Sequence, residues 1–380
     1  MEFGFSEEQE MIRSQAAEFL RHECPIGKIR ELMDSEHAYS DDLWKKIQQM
    51  GWLGLVFPEK HGGAGLSFVD LVVLLEAMGR SLVPGSFFST VILGGLSLLD
   101  AANEDQKRTW LNLLTDGKLR ATLALVEPNG SLQGVGMTSV TAEPSGNEYI
   151  IKGTKLFVPD AQTANLIICV ARTGPSANAE SNITLFAIDS DSEGVKISRL
   201  KTMDQTRALY EVTFDRVRVG TDRVLGKIGR AWPIIERVLN RATIGLCAEM
   251  VGGAQRVLEM CVDYAKQRVQ FGRPIGSFQA IQHKCADMLL MIESARSAVY
   301  AASWMASNDS AETALYASIA KAYTSDACRL VAGEGIQIHG GMGFTWEHDV
   351  HLYFKRAKAD EFTFGDANYH RVRVAELLGL

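Results

Sequence analysis

The C-terminal stretch ADEFTFGDANYHR, residues 359–371, concentrates groups that could move protons. It places three carboxylates, including Asp366, with His370 and Arg371 around a Phe-Gly pair. Carboxylates and histidine are the side chains most often used as general acids and bases. The same residue types are common at solvated helix ends, where an aspartate can cap the next helix. We expect His370 and Arg371 to form a helix surface or a subunit contact rather than a catalytic pair.

The stretch IQIHGGMGF, residues 336–344, closes a long helical pattern and could bind a phosphate group. Gly340 and Gly341 would let the backbone approach a ligand closely, and successive peptide N–H groups can face an anion. Gln337 could add a side-chain amide. The alternative is a glycine that only ends the helix.

Two further stretches could contact a flat, phosphorylated ligand. In AKQRVQFGRPIG, Arg268 and Phe271 are three residues apart on a predicted helix end, so a cation and an aromatic ring would share one face. In the turn LALVEPNGSLQG, Ser131 and the turn amides could bond a planar polar group. The alternatives are a surface arginine, a core phenylalanine and an ordinary turn.

Composition narrows the class of protein. The 380 residues are 46% hydrophobic with a formal net charge of −7, which suits two or three globular domains and argues against nonspecific binding of nucleic acid. The six cysteines show neither a CxxC pair nor metal-ligand spacing, so buried thiols in a reducing compartment are expected. No apolar run reaches the roughly 18 residues of a membrane span. We therefore expect a soluble, cytoplasmic protein without a metal.

The hydrophobic periodicity changes twice along the chain and predicts three domains. Residues 1–118 have helical spacing, with a capping box at Ser6 and a final helix over about 88–115. Residues 119–228 form short β-branched and aromatic runs between turn residues, which predict an antiparallel sheet. Residues 229–380 contain three helical patterns longer than about 25 residues, typical of a bundle. A doubly wound dinucleotide fold would instead alternate strands with helices.

These stretches, together with GWLGLVFPEKHGGAGLS and IKGTKLFVPDAQTANLIICVAR, occur in the order and spacing of the acyl-CoA dehydrogenase family, which the whole chain resembles. The resemblance implies an α+β multidomain fold: an N-terminal all-α domain, a middle antiparallel β-barrel or sandwich domain, and a C-terminal four-helix bundle. It also implies FAD, bound between the middle and C-terminal domains, with the adenosine diphosphate part held by a neighbouring subunit.

The resemblance also implies contacts position by position. The implied FAD-binding residues are Leu125, Val126, Ser131, Phe157, Val158, Arg268, Phe271, Phe278, Gln279, Gln337, Gly340, Gly341, Asp366 and Asn368. The implied substrate-binding residues are Phe88, Asn240, Thr243 and Phe364. The flavin-ring side departs from the family pattern, because Val126 replaces a Thr and Phe157-Val158-Pro159 replaces Trp-Ile-Thr. Each lost hydroxyl would remove a hydrogen bond of about 1 kcal/mol, which weakens flavin binding without abolishing it.

Both usual positions of the family's catalytic base lack a carboxylate. In the family a Glu removes the α-proton of the acyl-CoA from one of two positions, which hold Phe364 and Ala242 here. The backbone N–H of Phe364 could still polarise the thioester carbonyl. Asp366 and Glu249 are the candidate replacements for the base. Asp366 could instead cap a helix, and Glu249 could instead contact a polar acyl tail or form half of a buried ion pair.

The leading hypothesis is FAD-dependent α,β-desaturation of a CoA thioester, in fatty, cyclic or dicarboxylic acid degradation, with electrons passed to an electron-transfer flavoprotein. The chain would work as a homotetramer with a relocated base, or in an α2β2 heterotetramer with the base supplied by a related subunit. Two alternatives remain. One is the same fold with desulfinase or nitroalkane-oxidase chemistry, and the other is a base-lacking, non-catalytic partner subunit.

Overall fold

The structure is a computed structural model that describes residues 5–35, 37–128, 139–174 and 182–380. The chain divides into two compact units, which are described separately. Unit 1 comprises residues 1–31, 67–83 and 243–380, and unit 2 comprises residues 32–66 and 84–242.

The three long C-terminal helices predicted from the sequence are present as α7, α8 and α9. The α-helices are α1 (Glu7–Glu23), α2 (Ile26–Asp34), α3 (Asp41–Gln49), α4 (Phe68–Arg80), α5 (Leu96–Ala101), α6 (Glu104–Thr115), α7 (Trp232–Gln267), α8 (Gln279–Ser307), α9 (Thr313–His339), α10 (Val350–Phe362) and α11 (Ala367–Leu377). The predicted capping box is present, because Ser6 and Gln9 exchange side-chain-to-backbone hydrogen bonds at the start of α1.

The single helix expected over about 88–115 is wrong, because the structure has three segments there. A π-helical segment runs over Phe88–Gly95, α5 follows, and the chain turns extended at Ala102 with ψ 148°. Asn103 then begins α6 as its N-cap, where its side chain accepts a hydrogen bond from the N–H of Gln106 at 2.9 Å. This local cap stabilises a new helix start, so the helical periodicity does not continue as one helix.

The described residues of the middle of the chain form an eight-stranded sheet in unit 2. Its strands are β1 (Ala121–Ala124), β2 (Thr141–Ser145), β3 (Glu148–Pro159), β4 (Leu166–Arg172), β5 (Ile183–Asp189), β6 (Val195–Arg199), β7 (Leu209–Gly220) and β8 (Val224–Leu225). The order is β6-β7-β3-β2-β4-β5-β8, and β1 pairs with β4. A core that includes Tyr149, Phe186, Tyr210 and Phe214 packs against the sheet.

Most strand pairs are antiparallel, as expected, and β1 is the main departure. Ala121–Ala124 pairs in parallel with Leu166–Cys169, and β2 makes a single parallel pairing with β4. All four residues of β1 are buried, as is usual for parallel strands covered on both faces. The π-helical segment provides part of this cover, since the side-chain oxygen of Thr90 accepts a hydrogen bond from the N–H of Ala121.

In unit 1, α4 and α7 cross at unusually short distance because each carries a glycine at the crossing. A Cβ atom on Gly79 would overlap the main chain of Glu249, and one on Gly252 would overlap the carbonyl oxygen of Glu76. Only glycine lets the two backbones approach so closely. Gly253, the next residue of α7, is different, because its added Cβ would find its nearest atoms at 3.7 Å.

The six cysteines are free thiols, and all but Cys285 are buried. Burial raises the pKa of Cys169 and of Cys247 to about 12, so both stay protonated near neutral pH. This agrees with the expected buried thiols. Within the described residues, no helix combines the length and apolar character needed to cross a membrane.

We predict opposite effects for alanine at two adjacent glycines of α7. Gly252→Ala should lower the free energy of unfolding by roughly 1–3 kcal/mol or more, because the new methyl group collides with the backbone of α4. Gly253→Ala should leave it unchanged or raise it by about 0.5–1 kcal/mol, because alanine favours a helix interior more than glycine. Denaturant unfolding of the two variants checks this, and equal effects would refute the close crossing.

Candidate active site

The turn that follows β1 carries the candidate flavin-ring contacts of unit 2. The N–H of Leu156 donates to the carbonyl oxygen of Val126 at 2.8 Å, so the turn is held against β3. The register of β3 shifts between Lys155 and Val158, and Phe157 adopts a left-handed φ of 54°. A bulge re-aims the side chain it carries. Phe157 is therefore 52% exposed, while Val158 beside it is buried.

A fully buried ion pair fixes this turn. Lys155 Nζ donates to Glu127 Oε1 at 2.9 Å and to the carbonyl oxygen of Leu125 at 3.0 Å. The Glu127 carboxylate also accepts hydrogen bonds from the N–H groups of Ser139 and Val140. Burial alone would raise the pKa of Glu127, but the Lys155 ammonium and these donors hold the pKa below its usual value. Neither residue stands out in the sequence pattern, because lysine and glutamate in strands and turns usually face solvent.

The structure thus brings Leu125, Val126 and Phe157 together within unit 2, and their arrangement fits a planar ring. The exposed ring of Phe157 offers an aromatic surface at the position where the family resemblance implies Trp. The adjoining turn supplies a backbone that is already ordered before a ligand arrives. Ser131, the other candidate of this turn, lies outside the described residues.

The glycine-rich end of α9 offers an open surface in unit 1. Gly340 ends the helix with φ 59°, and a Cβ atom at Gly340 or Gly341 would have nothing within 4 Å. Gln337 is exposed on the last turn. The N–H of Gly340 donates to the carbonyl oxygens of Ile336 and Gln337. The expected row of N–H groups facing a phosphate therefore excludes Gly340, because this N–H closes the helix.

Arg268 and Phe271 do not share a helix face, contrary to the prediction. Helix α7 ends at Gln267, and two short strands, β9 (Val269–Gln270) and β10 (Arg273–Pro274), form a hairpin. Phe271 and Gly272 are its two turn residues, with φ values of 53° and 77°. Two consecutive left-handed residues are the requirement of a type I′ turn, which the sequence Phe-Gly satisfies through its glycine.

The hairpin nevertheless presents cations and rings on one surface. Phe271 is 92% exposed, and its ring meets the edge of Phe278 at 6.1 Å between centroids. The guanidinium of Arg273 lies 4.1 Å from the centroid of the Phe278 ring, while Arg268 and Gln279 are exposed. Exposed aromatic rings beside guanidinium groups suit an adenine ring and a pyrophosphate. These residues fit the adenosine diphosphate part of FAD.

The carboxylate-rich stretch of residues 359–371 contains the connection between α10 and α11. Phe364 has φ 60° and Gly365 has φ 101°. The Asp366 carboxylate accepts a hydrogen bond from the N–H of Tyr369 at 2.8 Å and so caps α11, as the structural alternative predicted. Asn368 is exposed and accepts a hydrogen bond from Arg371, which also pairs with Asp326.

His370 is buried, so its expected place on a helix surface or at a subunit contact is wrong. Only 4% of the residue is exposed, and Nε2 donates to the carbonyl oxygen of Phe364 at 2.9 Å. Because a carbonyl can only accept, the proton of the neutral ring resides on Nε2. Burial lowers the pKa of His370 to about 4, against the opposing effect of that hydrogen bond. Arg371 is exposed, in agreement with the prediction.

Glu249 faces the interior of unit 1. It is 6% exposed and lines a cavity of about 10 Å³ together with Arg356 and Asp360, which are also buried. A volume of this size is close to that of a single water. Ala242 is fully buried seven residues earlier in α7, and Thr243 is buried beside it.

Two substrate candidates belong to unit 2. Phe88 begins the π-helical segment, with the guanidinium of Arg207 at 5.1 Å from its ring centroid. Asn240 is half-buried near the start of α7. π-Helical segments often mark functional sites, so the position of Phe88 supports its candidacy.

We predict that Lys155→Met lowers the free energy of unfolding by about 3–5 kcal/mol, because it leaves the Glu127 carboxylate buried without its cation. Flavin content should fall with it, since the Leu125 carbonyl loses its donor. Lys152→Met, at an exposed site on the same strand, is the control. The double variant Glu127→Leu/Lys155→Met should recover stability but not flavin binding. Equal behaviour of Lys155→Met and Lys152→Met would contradict the role of the pair.

We predict that His370 makes stability depend on pH. The lowered pKa of His370 means that the unfolded chain binds a proton at this residue more readily than the folded protein does. The stabilisation that neutral His370 gives the folded state is therefore complete above about pH 6.5 and is lost as the pH falls toward 4. A shift from 6.5 to about 4 corresponds to about 3 kcal/mol of unfolding free energy. His370→Gln should lose this dependence. Subtracting its profile of unfolding free energy against pH from that of the wild type cancels the contributions of the other histidines. His22→Gln, at an exposed position in α1, should follow the wild type.

Comparisons with known proteins agree with the fold. Three family models match in order: the acyl-CoA dehydrogenase N-terminal domain at residues 6–118, the middle domain at 122–217 and the C-terminal domain at 229–379. A curated acyl-CoA dehydrogenase of Bacillus subtilis (strain 168) is 31% identical over 380 residues, covering 98% of each chain.

Solved structures give the same result. Butyryl-CoA dehydrogenase from Megasphaera elsdenii is 27% identical with a TM-score of 0.93, covering 100% of both chains. A chain of the ChsE4-ChsE5 complex from Mycobacterium tuberculosis is 26% identical with a TM-score of 0.90, covering 100% of this chain and 99% of that one. Desulfinase, nitroalkane-oxidase and non-catalytic roles are not favoured. The chain belongs to the acyl-CoA dehydrogenase family and is an FAD-dependent oxidoreductase that acts on CH–CH bonds of acyl-CoA.

Proposed function

We propose that this chain binds FAD and the CoA thioester in an acyl-CoA dehydrogenase whose catalytic base is a carboxylate of a second, related subunit. The observation that carries this proposal is that Phe364 and Ala242 occupy the two positions where the family resemblance expects the base. Neither side chain can accept a proton.

The candidate replacements within the chain have other roles. The Asp366 carboxylate accepts the N–H of Tyr369 and stabilises the start of α11, so helix capping accounts for an aspartate at this position. Glu249 shares a small interior cavity with Arg356, about two helical turns or ~10 Å along α7 from Ala242. Its burial beside Arg356 supports the expected alternative that Glu249 forms half of a buried ion pair.

The residues of this chain would serve binding and polarisation. FAD, when bound, accepts the β-hydride of the thioester. Leu125, Val126 and Phe157 would hold the flavin ring, and the hairpin around Phe271 would hold the adenosine diphosphate part. The backbone N–H of Phe364 would donate to the thioester oxygen, which acidifies the α-proton for a base from outside the chain.

The assembly that follows is an α2β2 heterotetramer of two related chains. The similar ChsE4-ChsE5 structure is a complex of two named components, which supports such a pairing here. The electrons would leave the flavin for an electron-transfer flavoprotein, as the family resemblance implies. The proposed enzyme would act in the degradation of fatty, cyclic or dicarboxylic acids.

We predict that Phe364→Glu gives the isolated chain a base of its own. With FAD bound, this variant should be bleached anaerobically by a panel of straight-chain, cyclic and dicarboxylic acyl-CoA esters. The wild-type chain should be bleached only with its partner subunit. Restoring a general base is worth roughly 10²–10⁴-fold in rate. Stopped-flow absorbance of the flavin measures the difference.

Phe362→Glu is the matched control, because it adds the same charge at an exposed position two residues earlier. It should leave the wild-type behaviour unchanged. Bleaching of the isolated wild-type chain at the rate of the complex would overturn the proposal. In that case Glu249→Gln would show whether the carboxylate in α7 is the base.

A further inference from the structure

Lys321 is fully buried and is bonded to the main chain at the end of α10. Its Nζ donates to the carbonyl oxygens of Asp360 and Glu361, both at 2.9 Å, and to Ser325 Oγ at 3.0 Å. An ammonium has three N–H donors, and these three acceptors match them. The two carbonyls belong to the last turn of a helix, where no further helical N–H can reach them. A cation also suits the negative end of the helix dipole there.

Three further carbonyls of the turn are also hydrogen-bonded. The carbonyl oxygen of Ala359 accepts from the N–H and the hydroxyl of Thr363, and that of Phe362 accepts from the N–H of Gly365. The carbonyl oxygen of Phe364 accepts from His370. Lys321 supplies the donor to the carbonyls of Asp360 and Glu361.

These bonds hold an unfavourable backbone conformation. Phe364 is a bulky residue with a left-handed φ of 60°, and the ring of Tyr369 packs so closely over Gly365 that a Cβ atom there would overlap it. Such conformations cost roughly 1–3 kcal/mol and persist only where the surroundings enforce them. Strain of this kind is concentrated at functional sites. The strained residue is the one whose N–H the proposed function uses.

We propose that Lys321 and His370 are positioning residues, which hold the Phe364–Gly365 turn so that the Phe364 N–H meets the thioester carbonyl. Both side chains act through the backbone of the turn, and neither contacts the substrate. Lys321 fixes the helix end before the turn, and His370 fixes the carbonyl of Phe364 itself. This inference rests on the proposed function, because it assumes that a thioester binds at this turn.

The test uses the FAD-loaded full chain in the assembly in which it binds FAD, with crotonyl-CoA carrying a ¹³C thioester carbonyl as the probe. Isotope-edited infrared spectroscopy measures the carbonyl stretch, which moves to lower frequency when a donor bonds the oxygen. Lys321→Met and His370→Leu remove the two donors. His370→Gln keeps a donor of similar reach.

Lys358→Met is the control for a lysine next to the same turn. Lys358 bonds the Glu361 side chain at 2.7 Å and lies over the Phe362 ring, without the main-chain bonds that Lys321 makes. We expect the wild type, Lys358→Met and His370→Gln to show the full downshift. Lys321→Met and His370→Leu should lose at least half of it with unchanged flavin content. Their kcat should fall roughly 10- to 100-fold, with a smaller change in KM.

The possible failures are distinguishable. A wild-type complex that binds crotonyl-CoA without any downshift would overturn the proposed role of the Phe364 N–H, and this inference with it. A full downshift in both Lys321→Met and His370→Leu would overturn only the positioning roles. If Lys321→Met loses FAD or fails to fold, the comparison of His370→Leu with His370→Gln decides, and equal downshifts in those two variants overturn the inference.

Discussion

Main-chain carbonyl groups in irregular segments need hydrogen-bond donors where water is excluded. Two fully buried lysines supply such donors, one beside each of the two turns proposed to contact flavin and thioester. Lys155 bonds the carbonyl of Leu125 next to the turn that carries Val126. Lys321 bonds the end of α10 next to the turn that carries Phe364. A long side chain with three donors can order several backbone groups at once. Glu127 compensates the first buried charge, and the helix end compensates the second.

Regular elements with strong periodicity were predictable from the sequence, and elements decided by one local bond were not. The patterns of α7, α8 and α9 are long enough that their apolar spacing identifies them. The break before α6 depends on one Asn103 cap, and the hairpin at Phe271 depends on two left-handed residues. The first lies inside sequence that has helical spacing, and the second directly follows the helical pattern of α7. The parallel pairing of β1 with β4 is a long-range choice that no local pattern contains.

The candidate site likewise has features that the sequence could predict and features that it could not. The Asp366 cap could be predicted, because an aspartate just before a helical pattern has a known local partner. The burial of His370 and of the two lysines could not, because lysine and histidine in a helical or strand pattern usually face solvent. Only their partners in distant elements show otherwise. The assignment of Phe364 and Ala242 to the two positions where the family resemblance implies the base stays a prediction, and it could be made from the sequence because it needs a comparison of residue types only.

The Glu127 carboxylate has a consequence for how this protein can change. It accepts hydrogen bonds from the N–H groups of Ser139 and Val140, and it pairs with Lys155 of β3. One side chain therefore joins three segments of unit 2 that are separated along the sequence. A substitution at Glu127 would loosen all three together, so a change at this single position has consequences well beyond its own turn.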